Sequence, residues 1–167
     1  FAFLAEAYAD GKNWPRAKDA ADTAVRLNPN SVDAHRARGY TLELQGRYGE
    51  AIGAYQPMLT LAPNVAFLYI TIARNYRYAG NYDGAIKMAQ RALELEPNRA
   101  DAQDELGWSY YQSYTAYGRA ADLERAIAEL DKATKSNPDY AAAWAHLGIA
   151  YYRRRNYEDA IPALQKG

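Results

Sequence analysis

The chain contains no cysteine, which excludes disulfides, thiolate metal sites and cysteine nucleophiles and leaves the redox compartment open. Histidine is nearly absent too. His35 and His146 stand 111 residues apart, so they read as separate helix residues rather than as a metal pair. Long apolar runs are missing: no stretch approaches the roughly 18 residues that span a bilayer, and the opening FAFLAEAYAD lacks the basic flank and apolar core of a signal peptide. Membrane insertion is therefore not expected, and the cytoplasm is the default location. An excess of either charge is lacking as well. Twenty basic residues balance twenty acidic ones, which supplies no overall field to gather nucleic acid. There is no glycine-rich phosphate loop, no nucleophile elbow and no histidine pair at helical spacing, so neither an enzyme nor a cofactor is expected. Asp101, Asp104 and Glu105 read as the solvated start of a helix. An initial methionine is absent, which suggests a fragment.

Tyrosine, by contrast, occurs sixteen times against three phenylalanines. A phenol buries an apolar ring and still needs a polar partner, so many half-buried rings are expected. Pro29, Pro63 and Pro97 recur at a spacing of 34 residues. Twelve positions before each lies alanine (Ala17, Ala51, Ala85), fifteen before lies a ring (Trp14, Tyr48, Tyr82), and twenty-four before lies Ala5, Gly39 or Ala73. Pro138 follows Pro97 by 41 residues yet keeps its alanine, Ala126, which confines a seven-residue insertion to about Gln112 to Ala121. A fifth copy carries Trp144, Leu147, Gly148, Tyr151, Tyr157, Ala160 and Leu164 in the same columns.

Within a copy the apolar period is three to four residues, so each copy predicts two short helices. Asn13, Asn81 and Asn156 fall where a second helix needs an N-cap, and Pro15 sits where a first-turn proline is tolerated. The glycine and alanine columns mark where two helices approach closely. Each closing proline stops the second helix. Pro57 and Pro162 fall inside second helices, where each is expected to introduce a kink.

These columns resemble the tetratricopeptide repeat, most clearly in Trp144 to Tyr152, Arg38 to Tyr55 and Asn81 to Pro97. The resemblance implies an all-α, right-handed superhelical solenoid of stacked antiparallel helix hairpins. The expected organisation is one domain over residues 1–167, with repeats at about 1–31, 32–65, 66–99, 100–140 and 141–167. Two positions depart from the pattern: Arg38 stands in a column otherwise held by Leu4, Ile72, Leu106 and Leu147, and Met58 stands where Ala24, Ala92 and Ala133 stand elsewhere.

In that family the first helices line a concave surface, which implies a scaffold that binds a protein or peptide partner. The residues expected there are Arg36, Tyr40, Arg74, Arg77, Asp104, Trp108, Tyr111 and Tyr152, together with Glu6, Glu43, Ile70 and Arg153. Arg36, Arg74 and Arg77 are expected to make the middle of the groove cationic, with Asp101, Asp104 and Glu105 following it with negative charge if that helix start faces the groove, which suits a partner of complementary charge order. The lysine and asparagine pair of the family's carboxylate clamps is absent, its positions being held by Ala2 with Glu6, Arg36 with Tyr40, and Ile70 with Arg74. Self-assembly through uncapped ends is the alternative, because stacked repeats need polar caps. RNA binding is disfavoured by the missing basic stripe. The insertion either lengthens both helices of the fourth hairpin or presents Tyr114, Tyr117 and Arg119 as an edge for a partner.

Overall fold

The computed structural model describes residues 1–167. It is all helix, in two compact units that divide between Ala79 and Gly80. The first unit holds α1 (Ala2–Asp10), α2 (Trp14–Leu27), α3 (Val32–Leu44), α4 (Tyr48–Leu61) and α5 (Ala66–Tyr78). The second holds α6 (Tyr82–Leu95), α7 (Ala100–Tyr117), α8 (Ala120–Ser136), α9 (Ala141–Arg153) and α10 (Tyr157–Lys166). In the first unit α1 packs on α2 and α3, α2 on α3, α3 on α4, and α4 on α5. In the second, α6 packs on α7, α7 on α8 and α9, α8 on α9, and α9 on α10. Each repeat range read from the sequence holds two helices.

The starts of the second helices follow from the capping residues. The side chains of Asn13, Asn81 and Asn156 accept from Arg16, Gly84 and Asp159 backbone N–H groups, so each satisfies a donor that the helix itself cannot. One residue before each second-helix N-cap the backbone turns left-handed: Lys12, Gly46, Gly80, Gly118 and Arg155 all have positive φ. Glycine meets that demand at three of the five turns, while Lys12 and Arg155 hold it at a cost of about 1–2 kcal/mol each. Helices α4 and α10 run continuously through Pro57 and Pro162.

The junctions between copies share a second device. His35, Tyr69, Gln103 and Trp144 each lie six residues after a closing proline and bond its carbonyl oxygen, at 2.7, 2.9, 3.1 and 2.7 Å. An imidazole, a phenol, an amide and an indole thus do one job: they satisfy a carbonyl that no helix ladder reaches.

The small-residue columns are the helix crossing points. A Cβ added at Gly39 would lie 2.3 Å from the Tyr55 ring, one at Gly107 2.6 Å from Leu130 Cγ, and one at Gly148 2.6 Å from Leu164 Cγ. Where the first helix offers alanine instead, at Ala5, the facing cluster is built of Ala20 and Ala21. Volume is therefore traded across the crossing: glycine faces a large side chain and alanine faces a small one. Tyr55 and Leu130 are among the most completely buried side chains, each worth roughly 1.5–3 kcal/mol of apolar burial.

The insertion lengthens both helices of the fourth hairpin. Helix α7 has 18 residues and α8 has 17, against 13 and 14 in α5 and α6. The extension is not a free edge. Tyr114 packs against the Leu123, Ile127 and Leu130 cluster, Tyr117 meets Tyr82 edge to face at 5.8 Å, and Arg119 grips Asp83 with two contacts of 2.6 and 3.3 Å. That guanidinium holds the exposed Asp83 carboxyl below its ordinary range, and its carbon sits 4.7 Å over the Tyr117 ring. The longer hairpin reaches back to the start of α6 because its extra turns place these groups beside Tyr82 and Asp83.

Replacing Gly107 with alanine forces its Cβ toward Leu130 and the Ala126 carbonyl, and overpacking of this kind costs about 1–3 kcal/mol. Thermal unfolding should show a clear drop for Gly107→Ala and, in Gly107→Ala/Leu130→Ala, a total loss smaller than the sum of the two single losses, because the second change removes the clashing branch. Additive losses in the double variant would contradict the volume trade.

Candidate partner-binding faces

In the first unit, helices α3 and α5 flank a cavity of about 240 Å³. Its walls are Arg36, Tyr40 and Glu43 from α3 and Phe67, Thr71 and Arg74 from α5, and its floor is Tyr55 and Met58 from α4. Met58 owes its place to the sequence anomaly noted above: a long, flexible side chain in a column of alanines fills the gap beneath the two first helices. The floor is fixed by hydrogen bonds. Glu43 Oε2 accepts from the Tyr55 hydroxyl at 2.8 Å and from Asn75 Nδ2 at 2.9 Å. Burial, then the Glu43 charge beside it, pushes the Tyr55 phenol well above its ordinary range.

The polarity of this face differs from the expectation of a cationic groove. Arg36 lies 2.8 Å from Glu6 and 3.4 Å from Asp33, so its charge is already matched. Tyr40 donates to Asp10 Oδ1 at 2.6 Å. Arg77 is among the buried residues, with its guanidinium 4.5 Å over the Tyr78 ring, and Ile70 is also buried. Asp10 was not named from the sequence. It lies one helical turn beyond Glu6, and extending the α1 stripe by four residues would have reached it.

In the second unit, α7 and α9 carry the other expected group. Asp104 is buried rather than displayed. His146 Nδ1 lies 2.7 Å from Asp104 Oδ1, and because a carboxylate only accepts, Nδ1 carries the proton. The Tyr140 hydroxyl donates to the other carboxylate oxygen at 3.5 Å. Trp108 stacks on His146 with ring centres 4.0 Å apart and on Tyr111 at 4.7 Å, both nearly parallel. Asp104, Trp108 and Tyr111 thus come together, and His146 joins them. Tyr152 stays apart: it is 61% exposed and meets only Tyr157 edge to face, at 5.7 Å. No helix is long and apolar enough to cross a membrane.

The carboxylate at the base of the stack makes a direct test. Asp104→Ala leaves the His146 N–H and the Tyr140 hydroxyl without their acceptor, and a lost buried acceptor costs about 1–3 kcal/mol. Denaturant unfolding should register that loss together with altered Trp108 fluorescence, and Asp104→Asn, which keeps an acceptor oxygen, should restore most of both. Equal stability of all three proteins would remove Asp104 from its supporting role.

Comparison with known proteins adds to this geometry. A family model described as Tetratricopeptide repeat matches residues 4–66 and 115–167, and a second one of the same description matches 66–99. The unmatched stretch, 100–114, is most of the lengthened α7. The human protein "Interferon-induced protein with tetratricopeptide repeats 2" is 28% identical over 173 aligned positions, which span 92% of this chain and 37% of that protein. This chain thus spans little more than a third of the relative's length. Among solved structures, MamA matches 98% of this chain with a TM-score of 0.79 at 22% identity, over 91% of its own length. YrrB, described as a TPR protein with an unusual peptide-binding site, matches 97% with a TM-score of 0.69 at 22% identity, over 80% of its own length. These likenesses establish the all-α hairpin-repeat fold.

Proposed function

The chain belongs to the tetratricopeptide repeat family, and on that premise we propose that it is a protein-interaction scaffold whose first-helix faces bind a peptide or partner helix. The observation that carries this reading is the cavity between α3 and α5, floored by buried Tyr55 and Met58 and rimmed by polar and aromatic groups. A volume of about 240 Å³ falls below the roughly 300–1,000 Å³ of small-molecule sites. It suits one or two side chains of an extended segment. Arg36, Tyr40 and Arg74 would contact the partner in the first unit, with Arg77 bracing α5 from within. Trp108, Tyr111 and Tyr152 offer aromatic surface in the second, with Asp104 fixing the stack. Rings and guanidinium groups are the side chains on which binding energy concentrates. YrrB's described peptide-binding site is consistent with this use of the fold. The reading assigns the chain no catalytic step.

Peptides selected from a displayed library against the folded chain test it. Arg74→Ala should weaken a selected peptide that maps to α3 and α5, and Trp108→Ala one that maps to α7 and α9, each by about 1 kcal/mol or more, roughly fivefold, with circular dichroism unchanged. Unchanged affinity in both variants would sink the assignment.

One observation favours a second reading, self-association. Tyr157, Ile161 and Leu164 are exposed on α10, while Leu123, Ile127 and Leu130, their column equivalents in α8, are buried. An apolar stripe of this kind suits another helix. Light scattering across a concentration series should show a larger species that Ile161→Glu abolishes, and a strict monomer at every concentration would rule this reading out.

A further inference from the structure

Resting on the peptide-groove reading above, we propose that the face formed by α1, α3 and α5 selects a basic segment, in which a lysine or arginine stands beside a bulky apolar residue. Three carboxylates, Glu6, Asp10 and Glu43, gather along α1 and α3 around Tyr40. The cation among them, Arg36, is held by Glu6 and Asp33, so this side of the groove keeps a surplus of negative charge. Arg74 stands across the cavity on the α5 wall, so the carboxylate-rich side is the one toward α1.

Tyr40 stands between these carboxylates and donates to Asp10. Its hydroxyl is pushed up to about 12, first by the hydrogen bond to Asp10, then by burial and by the charges of Asp10, Glu6 and Glu43. Apolar surface lies alongside: Phe3 on α1 and Phe67 on α5 are 73% and 48% exposed, suited to the methylene stem of a lysine or to cation–π contact. The cavity over Tyr55 and Met58 then receives the neighbouring apolar side chain.

Fluorescence anisotropy with the whole chain tests this with three labelled peptides of about ten residues each, alternating lysine with leucine, glutamate with leucine, or lysine with serine. The lysine–leucine peptide should bind at least about tenfold more tightly than the other two, with the advantage over glutamate–leucine shrinking as salt screens the charges. Asp10→Asn/Glu43→Gln should erase most of that advantage. Asp10→Asn alone, at an exposed position that leaves the Glu43 network intact, should lower it several-fold. Nuclear magnetic resonance perturbations must fall on α3 and α5. Equal binding of the lysine–serine peptide would overturn the apolar requirement. Tighter binding of the glutamate–leucine peptide on the same helices would overturn the polarity and leave the groove reading standing. If a displayed-library ligand maps to α3 and α5 while none of the three peptides binds, the basic preference falls alone; if no ligand of any kind perturbs those helices, both fall.

Discussion

Both units rest on the close crossing of the two helices within a hairpin, α1 on α2, α3 on α4, α7 on α8 and α9 on α10. A first helix can lie against its second helix only where one of the two facing side chains gives way, and Gly39, Gly107 and Gly148 do so for Tyr55, Leu130 and Leu164. Once that contact is made, the remaining apolar stripe of each hairpin has a fixed direction and the next hairpin has a surface to cover. The groove inherits its floor from the same contact. Tyr55, the ring that presses on Gly39, also donates to Glu43 and lines the cavity. A core contact and a candidate recognition surface therefore share one side chain, and changes to either are coupled.

The two faces solve the problem of placing polar groups on packed helices differently. In the first unit Asp10 and Glu43 stay outside the buried core, paired at 2.6 to 2.9 Å with the hydroxyls of Tyr40 and buried Tyr55 and with the amide of buried Asn75. In the second, Asp104 is drawn inside and covered by a histidine, which in turn supports an indole. The first arrangement leaves a charged wall around a cavity. The second leaves stacked rings whose orientation is set from below, and such rigidity lowers the ordering cost of binding.

Much of the fold was legible because it is written in local chemistry. The proline spacing, the asparagine caps and the small columns each report a single short-range requirement, and the helices fall where those requirements meet. Side-chain partners were less legible. Asp104 sits on the expected face of α7, yet its charge is covered by His146 from the next repeat, a pairing 42 positions away that periodicity does not encode. Arg36 was counted as a free cation because α1, which brings Glu6 to it, is distant in sequence. Longer helices are one of the two readings that the insertion's spacing allows, but the attachment of the added turns to Tyr82 and Asp83 depends on how far they reach, which spacing alone leaves open.

The bond from each proline carbonyl to a side chain six residues later bears on what counts as a module. Because the acceptor closes one copy and the donor opens the next, the interaction belongs to the seam and to neither hairpin. Breakpoints for shuffling or recombining copies are therefore not equivalent: a cut between Pro97 and Gln103 separates the two halves of a bond, whereas a cut in the turn before Asn81 or Asn156 leaves every seam whole. Since an imidazole, a phenol, an amide and an indole all close the seam, copies joined at such turns need only bring some donor to that position. The interchangeable unit of this chain is thus the second helix of one repeat with the first helix of the next.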